Sequence, residues 1–199
     1  MSLYNRRKFL FWESNLKLAA TFLVVIIMVL GPFFYVVGLN PLWYFVSNRA
    51  YVLTTFSLKL GVNPNSCENR GRDCPLFIAA VYEDMKMIKI LERYGGDMRI
   101  LNKNHENVLN VQCANIGLLN FFIDKGVDIN NQSFDRQGKL GFTPLHCAVL
   151  NNKPEAVKLL ISKGADKAKT LSGWAGKKNV TPLQLAQLKN LSDIIPLLK

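Results

Sequence analysis

The sequence predicts an all-α chain in which an N-terminal membrane-spanning helix precedes a stack of repeated helix pairs. Three observations predict it. No charged residue occurs from Leu18 to Asn48. Similar helix starts recur at residues 74, 107, 143 and 181. Each start leads on to a pair of large apolar residues: Ile90-Leu91, Phe121-Phe122, Leu159-Leu160 and Leu197-Leu198.

The N-terminal element comes first. Hydrophobic residues make up 49% of the 199, and they concentrate in Leu18 to Gly38. At about 1.5 Å per residue that stretch spans about 30 Å, the thickness of a bilayer core. It shows no polar side, as a buried soluble helix of that length would. A transmembrane helix is therefore expected over residues 18–39, with Gly31-Pro32 as a tolerated kink. The stretch is long for a cleaved signal peptide, and no Ala-x-Ala pattern follows it. The flank at residues 1–17 carries Arg6, Arg7, Lys8 and Lys17 against Glu13. Over residues 18–66 only Arg49 and Lys59 are charged. The positive-inside rule then puts the N-terminus in the cytoplasm and the remainder outside, which in a bacterium means an inner-membrane protein facing the periplasm.

Residues 40–66 are expected to form an interfacial segment and linker. Leu42, Phe45, Val46, Val52, Leu53, Phe56 and Leu60 recur at helical spacing. Trp43, Tyr44 and Tyr51 are interface residue types, so an amphipathic helix on the membrane surface is the expectation. A second spanning helix over residues 42–60 is the alternative, and it would return the C-terminal domain to the cytoplasm. Arg49 near its middle opposes that by about 2.5–3.5 kcal/mol on insertion scales.

Residues 67–199 carry the repeats. Thr143-Pro144-Leu145-His146-Cys147-Ala148 is followed by Val157, Leu159, Leu160 and then Gly164-Ala165-Asp166. Cys74-Pro75-Leu76 leads to Gly95-Gly96-Asp97, and Asn107-Val108-Leu109 to Gly126-Val127-Asp128. Thr181-Pro182-Leu183 opens a fourth copy. This pattern strongly resembles the ankyrin-repeat family. The resemblance implies a solenoid of four repeats with hairpin loops, whose surface binds another protein. The physics agrees with it. Pro at the first helical position sacrifices no intrahelical bond, Thr before it caps the helix, and Gly126 and Gly164 suit left-handed helix ends. Leu145, Ala148, Val157 and Leu160 are expected in the core. The second copy is degenerate at its start, and its helix-to-helix turn is two residues shorter.

The third and fourth starts come late because residues are added before them. In ankyrin folds those additions, Asn131–Leu140 and Lys167–Asn179, are hairpin fingers beside a concave face. Phe134, Arg136, Trp174, Lys177 and Lys178 lie in them. Aromatic and Arg side chains are favoured interface anchors. With the inner-helix positions Tyr82, Glu83, Leu150 and Asn151, they form the expected partner-binding site.

Catalysis is not expected. The two histidines, His105 and His146, have no metal-ligand spacing, and no nucleophile elbow or phosphate-binding glycine loop occurs. No cofactor and no metal are expected. The net charge of +11 leaves an acidic protein or anionic lipid as fitting partners, with no nucleic acid expected. Cys67 and Cys74 flank a short polar segment that could close as a disulfide in an oxidising compartment; otherwise Cys74 merely replaces the Thr of its turn. Cys113 and Cys147 read as small core residues inside helices. The whole resembles membrane-anchored periplasmic ankyrin proteins of bacteria. Some of those are similar to immunity proteins against secreted phospholipase-type toxins, which makes such a lipase a partner expectation. A helper for a housekeeping enzyme such as catalase, or a cytoplasm-facing scaffold, are the other expectations.

Overall fold

The computed structural model describes residues 41–67, 74–134, 138–172, 177 and 179–199. The basic flank 1–17 and the expected spanning helix 18–39 lie outside these residues. Among the described residues no helix is long and apolar enough to cross a membrane.

Residues Leu42–Lys199 form one compact unit built from five helix pairs. The pairs are α1 (Pro41–Ser47) with α2 (Tyr51–Lys59), and α3 (Pro75–Val81) with α4 (Met85–Arg93). Next come α5 (Val108–Val111) with α6 (Ile116–Asp124), and α7 (Pro144–Leu150) with α8 (Pro154–Ser162). The last pair is α9 (Pro182–Leu188) with α10 (Ile195–Leu198). The first helices stack in a row, α3 on α5, α5 on α7 and α7 on α9; among the second helices α2 packs on α4, α6 on α8 and α8 on α10. The core runs between the rows. Leu145, Ala148, Val157 and Leu160 are all buried in it, as their spacing predicts.

Local chemistry starts and stops several of the repeat helices where the sequence indicates. The Thr143 hydroxyl accepts from the His146 amide, and Thr181 from that of Gln184, closing capping boxes. The degenerate start at 107 does the same with other atoms. The Asn107 side chain accepts from the Leu109 and Asn110 amides, and the Asn110 side chain reaches back to the Asn107 amide. Gly61, Gly95, Gly126 and Gly164 follow the second helices at φ 88°, 87°, 76° and 93°. Only glycine takes that left-handed geometry without steric cost.

The largest departure from expectation is at residues 40–66. They form two short helices in place of one continuous helix, and neither is long enough to be the second spanning helix over residues 42–60. The two fold back on each other and join the stack as a further repeat. Leu42, Val46 and Leu58 are buried in the common core, with Thr54 and Ser57. Register settles the equivalence. Arg49 at φ 54° sits in the turn between α1 and α2, where Glu83 at 53°, Asn152 at 52° and Asn190 at 54° sit in later pairs. Asn65 after α2 accepts from the Asp97 amide (2.7 Å) and donates to the Gly95 carbonyl (3.0 Å). Asn130 after α6 makes the same two bonds to Asp166 and Gly164. Of the apolar residues at helical spacing, Leu42 and Val46 are buried against the stack, whereas Val52 and Leu60 stand exposed.

Cys67 and Cys74 are disulfide-bonded, with Cα atoms 4.1 Å apart. Cys113 and Cys147 are bonded as well, so reading them as isolated core residues is corrected. Cys113 lies just past α5, whose single turn ends at Val111, and it meets Cys147 on α7 of the next pair.

Candidate functional site

Two edges of the stack carry the candidate residues. The first is the row of turns that joins the two helices of each pair. Arg49 donates to the Tyr82 carbonyl at 3.1 Å, and its guanidinium lies 5.8 Å from the centre of the Tyr82 ring. Its Nε is also 4.0 Å from the Asp84 carboxylate. Asp84 caps α4 through the Met87 amide and accepts from the Tyr51 hydroxyl at 2.9 Å. That bond holds the Tyr51 phenol above its ordinary pKa, because ionised Tyr51 would lose its donor and face a carboxylate. Glu83 accepts from Gln112 at 3.1 Å and Asn115 at 2.7 Å, across to the next repeat. Asn151 donates to the Cys147 carbonyl at 2.9 Å and lies beside both sulfurs of the Cys113–Cys147 bond. Lys189 donates to the Leu150 carbonyl at 3.3 Å.

Of the inner positions expected to bind, Tyr82, Glu83 and Asn151 are exposed, whereas Leu150 is half-buried against the core. Most of their polar atoms named above are tied between repeats. What they offer outward is the Tyr82 ring, flanked by exposed Val81, with Ile116 exposed on the repeat whose Asn115 binds Glu83.

The second edge is the row of fingers. Ser133 and Phe142 pair across one finger, with Phe134 facing Leu140; Leu171 pairs with Val180 across the next. Gly141 is required there, since a Cβ would stand 2.5 Å from the Ser133 hydroxyl oxygen. Consecutive fingers are joined. The Phe134 amide donates to the Asn104 carbonyl (2.8 Å) and the Ser172 amide to the Leu140 carbonyl (2.8 Å). Gln132 bridges the Gly141 and Thr170 carbonyls. Phe134 is half-buried and meets the His105 ring edge-on at 5.1 Å between centroids. Lys177 is exposed. Arg136, Trp174 and Lys178 lie outside the described residues.

The finger edge also shows residues that the sequence reading passed over: Leu101, Lys103, Lys139 and Leu140, all exposed. Their signal was available as charge. Segments 99–107, 131–142 and 167–181 together hold eight Lys or Arg (Arg99, Lys103, Arg136, Lys139, Lys167, Lys169, Lys177, Lys178) against Glu106 and Asp135. Of the basic residues, Arg99, Lys103, Lys139, Lys167 and Lys177 are exposed, and they stand with exposed Leu101 and Leu140 on a surface suited to an acidic protein partner that also carries apolar side chains.

His146 is structural. It is fully buried, its Nε2 donates to the Val180 carbonyl at 3.1 Å, and its Nδ1 faces the Thr143 hydroxyl at 2.9 Å. Burial lowers its pKa to about 4, with the Val180 carbonyl opposing that shift. Asn110 holds the equivalent place one repeat earlier and donates to the Phe142 carbonyl at 3.0 Å. Among the described residues no group of His, Cys, Asp or Glu could hold a metal ion.

Residues 76–170 and 109–199 match the family model described as ankyrin repeats in three copies. A 46-residue part is 52% identical to a putative ankyrin repeat protein of Rickettsia bellii (strain RML369-C), covering 23% of this chain and 7% of that protein. A 127-residue part is 28% identical to the mouse B-cell lymphoma 3 protein homolog, covering 60% of this chain and 27% of that protein. The chain thus spans well under a third of the length of either relative. The helix pairs, their left-handed turns, the inter-repeat bonds and the family match over more than half the chain lead to one conclusion: this protein belongs to the ankyrin-repeat family, whose stacks are protein–protein interaction modules.

Proposed function

We propose that the protein is a membrane-anchored ankyrin module that binds and neutralises a secreted antibacterial toxin of phospholipase type on the periplasmic side of a bacterial inner membrane. The observation that carries the compartment is the pair of disulfides. Cys113 and Cys147 are brought together by repeat stacking, Cys74 is buried in the core beside exposed Cys67, and such bonds persist in oxidising compartments and are rare in reducing ones. The uncharged stretch from Leu18 and its basic flank support an anchor with the repeats outside the cytoplasm. The basic, leucine-bearing finger edge supports an acidic protein as partner. The toxin reading rests on the resemblance in architecture; a defender against a lipase gains from being held where the lipase acts.

Topology and function are tested separately. Alkaline phosphatase fused after Lys199 is expected to be active, and a fluorescent protein that matures only in the cytoplasm is expected to be dark. The reverse pattern overturns the periplasmic placement. Co-expression with a periplasm-targeted phospholipase toxin is expected to restore growth, and Trp174→Ala or Lys177→Glu is expected to weaken that protection. Protection by neither the wild type nor a variant, together with capture of a housekeeping enzyme such as catalase by the anchored protein, favours the helper reading.

A further inference from the structure

With the α1–α2 pair counted as the first repeat, so that the copy starting at Cys74 becomes the second and that at Thr143 the fourth, the first repeat differs from the others in one respect that burial within the stack does not explain. In the register fixed by the left-handed turns, Val52 on α2 corresponds to Lys86, Gly117 and Glu155 of the next three repeats. Leu60 corresponds to Tyr94, Lys125 and Lys163. Charged residues dominate these outward positions elsewhere. Here they are aliphatic, and Val52 is 75% and Leu60 62% exposed. Phe56, one turn from each, is half-buried between them in sequence and completes a stripe at i, i+4 and i+8.

Charge selects the occupant. From Ser14 to Cys67 there is no Asp or Glu, so the first repeat contains Arg49 and Lys59 and no acid. The repeats from Cys74 onward all contain acids. Arg49 is turned to Tyr82 and Asp84 of the next repeat, so Lys59 is the cation beside the stripe. An apolar stripe with a cation and no acid is a composition that seats in the headgroup layer of an anionic bilayer. Chain length selects it too. Only Leu39 and Asn40 lie between Gly38, the end of the apolar stretch, and Pro41, the first residue of α1. On the anchored reading, two residues with at most about 3.6 Å of reach each tether the first repeat close to the bilayer.

We infer that the outer face of the first repeat, carried by Val52, Phe56 and Leu60 with Lys59, is a lipid-contact surface that lies against the anionic bilayer. This rests on the anchored reading above. The face would hold the stack in one orientation on the membrane, leaving the finger edge free for the protein partner.

The test uses the full chain in vesicles of phosphatidylethanolamine and phosphatidylglycerol. A photoreactive benzoylphenylalanine is placed at Val52, at Leu60, and, as matched controls, at Glu155 and Lys163 of the fourth repeat, all of them exposed. Flotation comes first: vesicles that carry no protein remove the anchor and this inference with it. If the protein floats, illumination is expected to yield roughly tenfold more lipid adduct at 52 and 60 than at 155 and 163. Equal adducts at all four positions, or none at 52 and 60, overturn the inference while leaving the anchor intact. Adducts at 52 and 60 to a second copy of the chain also overturn it, and assign the face to self-association. As an independent readout, Val52→Glu with Leu60→Lys, which restores the charged types of the fourth repeat, is expected to abolish hydrogen-exchange protection that vesicles confer on α2. Protection that survives both substitutions counts against lipid contact.

Discussion

The third and fourth repeats sit side by side, joined by a disulfide, and reach the same geometry with different side chains. The fourth follows the family pattern: two turns of α7, Thr143 as cap, His146 beneath it. In the third, α5 is a single turn, Asn107 caps, and Asn110 takes the histidine's place. The shortened helix gives up apolar contacts. Its partner α6 carries larger ones: Leu118, Leu119, Phe121 and Phe122 stand where α8 has Ala156, Val157, Leu159 and Leu160. Leu118, Leu119 and Phe122 are buried like their counterparts. What a repeat requires is a filled volume and a bonded carbonyl at fixed places. Which residues supply them is secondary.

If volume on α6 offsets the short α5, truncation there is costly. Phe122→Ala is expected to destabilise by about 3–5 kcal/mol, more than Leu160→Ala, where less volume is lost. Denaturant melts of the two variants check this. Equal losses would mean that α6 does not compensate for its neighbour.

The disulfide is the second support of the weak repeat. Cys113–Cys147 closes 34 residues and Cys67–Cys74 closes 7. Chain entropy then assigns about 4 kcal/mol to the first and about 2 kcal/mol to the second. Alanine pairs at each bridge, melted under non-reducing conditions, measure both. Free thiols detected at Cys113 and Cys147 in the native protein would instead leave the third repeat standing on packing alone.

Much of this comparison is legible in the sequence, and the limits are physical. Thr-Pro-Leu starts and Gly-x-Asp ends mark helix boundaries because proline and glycine act locally. The Asn107 start was found through Leu109 and Phe121-Phe122, without its cap being readable. The first repeat was missed because apolar residues at helical spacing look alike whether they face a neighbouring helix or a bilayer; only Gly61 and Asn65, the equivalents of Gly126 and Asn130, distinguish the two. The Cys113–Cys147 bond was missed because 34 residues separate cysteines that only repeat stacking brings together. Of the positions expected to bind a partner, the exposure of Tyr82, Glu83, Asn151 and Lys177 follows from register. The bonds that occupy Glu83 and Asn151 depend on Gln112, Asn115 and the Cys147 carbonyl, which no spacing rule pairs with them.

The buried histidine separates the two repeats by pH. His146 has a folded pKa of about 4 against an ordinary 6.5. Between those values the unfolded chain binds the extra proton, so stability falls as pH drops. The contribution is complete above about pH 6.5 and is lost progressively down to about pH 4, by roughly 3 kcal/mol. Asn110 does the same structural work without titrating. His146→Asn is therefore expected to flatten the acid limb of the stability profile over that window, whatever it costs at neutral pH. An acid limb unchanged in the variant would place the titration elsewhere.

The smallest effect tests the caps themselves. Thr143 and Asn107 both accept from amides of the first turn, but Asn107 has an amide nitrogen besides, and it donates to the Asp128 carbonyl at 2.7 Å. That bond ties the start of α5 to the segment after α6, within the repeat that has least helix to hold it. Asn107→Thr imports the fourth repeat's cap and removes only this tie. Both residues rank well at helix starts, so the cap term nearly cancels and one net hydrogen bond at a 1% exposed site remains. The expected loss is about 1 kcal/mol, with slower hydrogen exchange lost first around residues 128–131. Asn107→Ala, which loses cap and tie together, is expected to cost roughly 2 kcal/mol. If the Thr variant melts like wild type, the cap alone starts the third repeat, and its short helix needs no second hold.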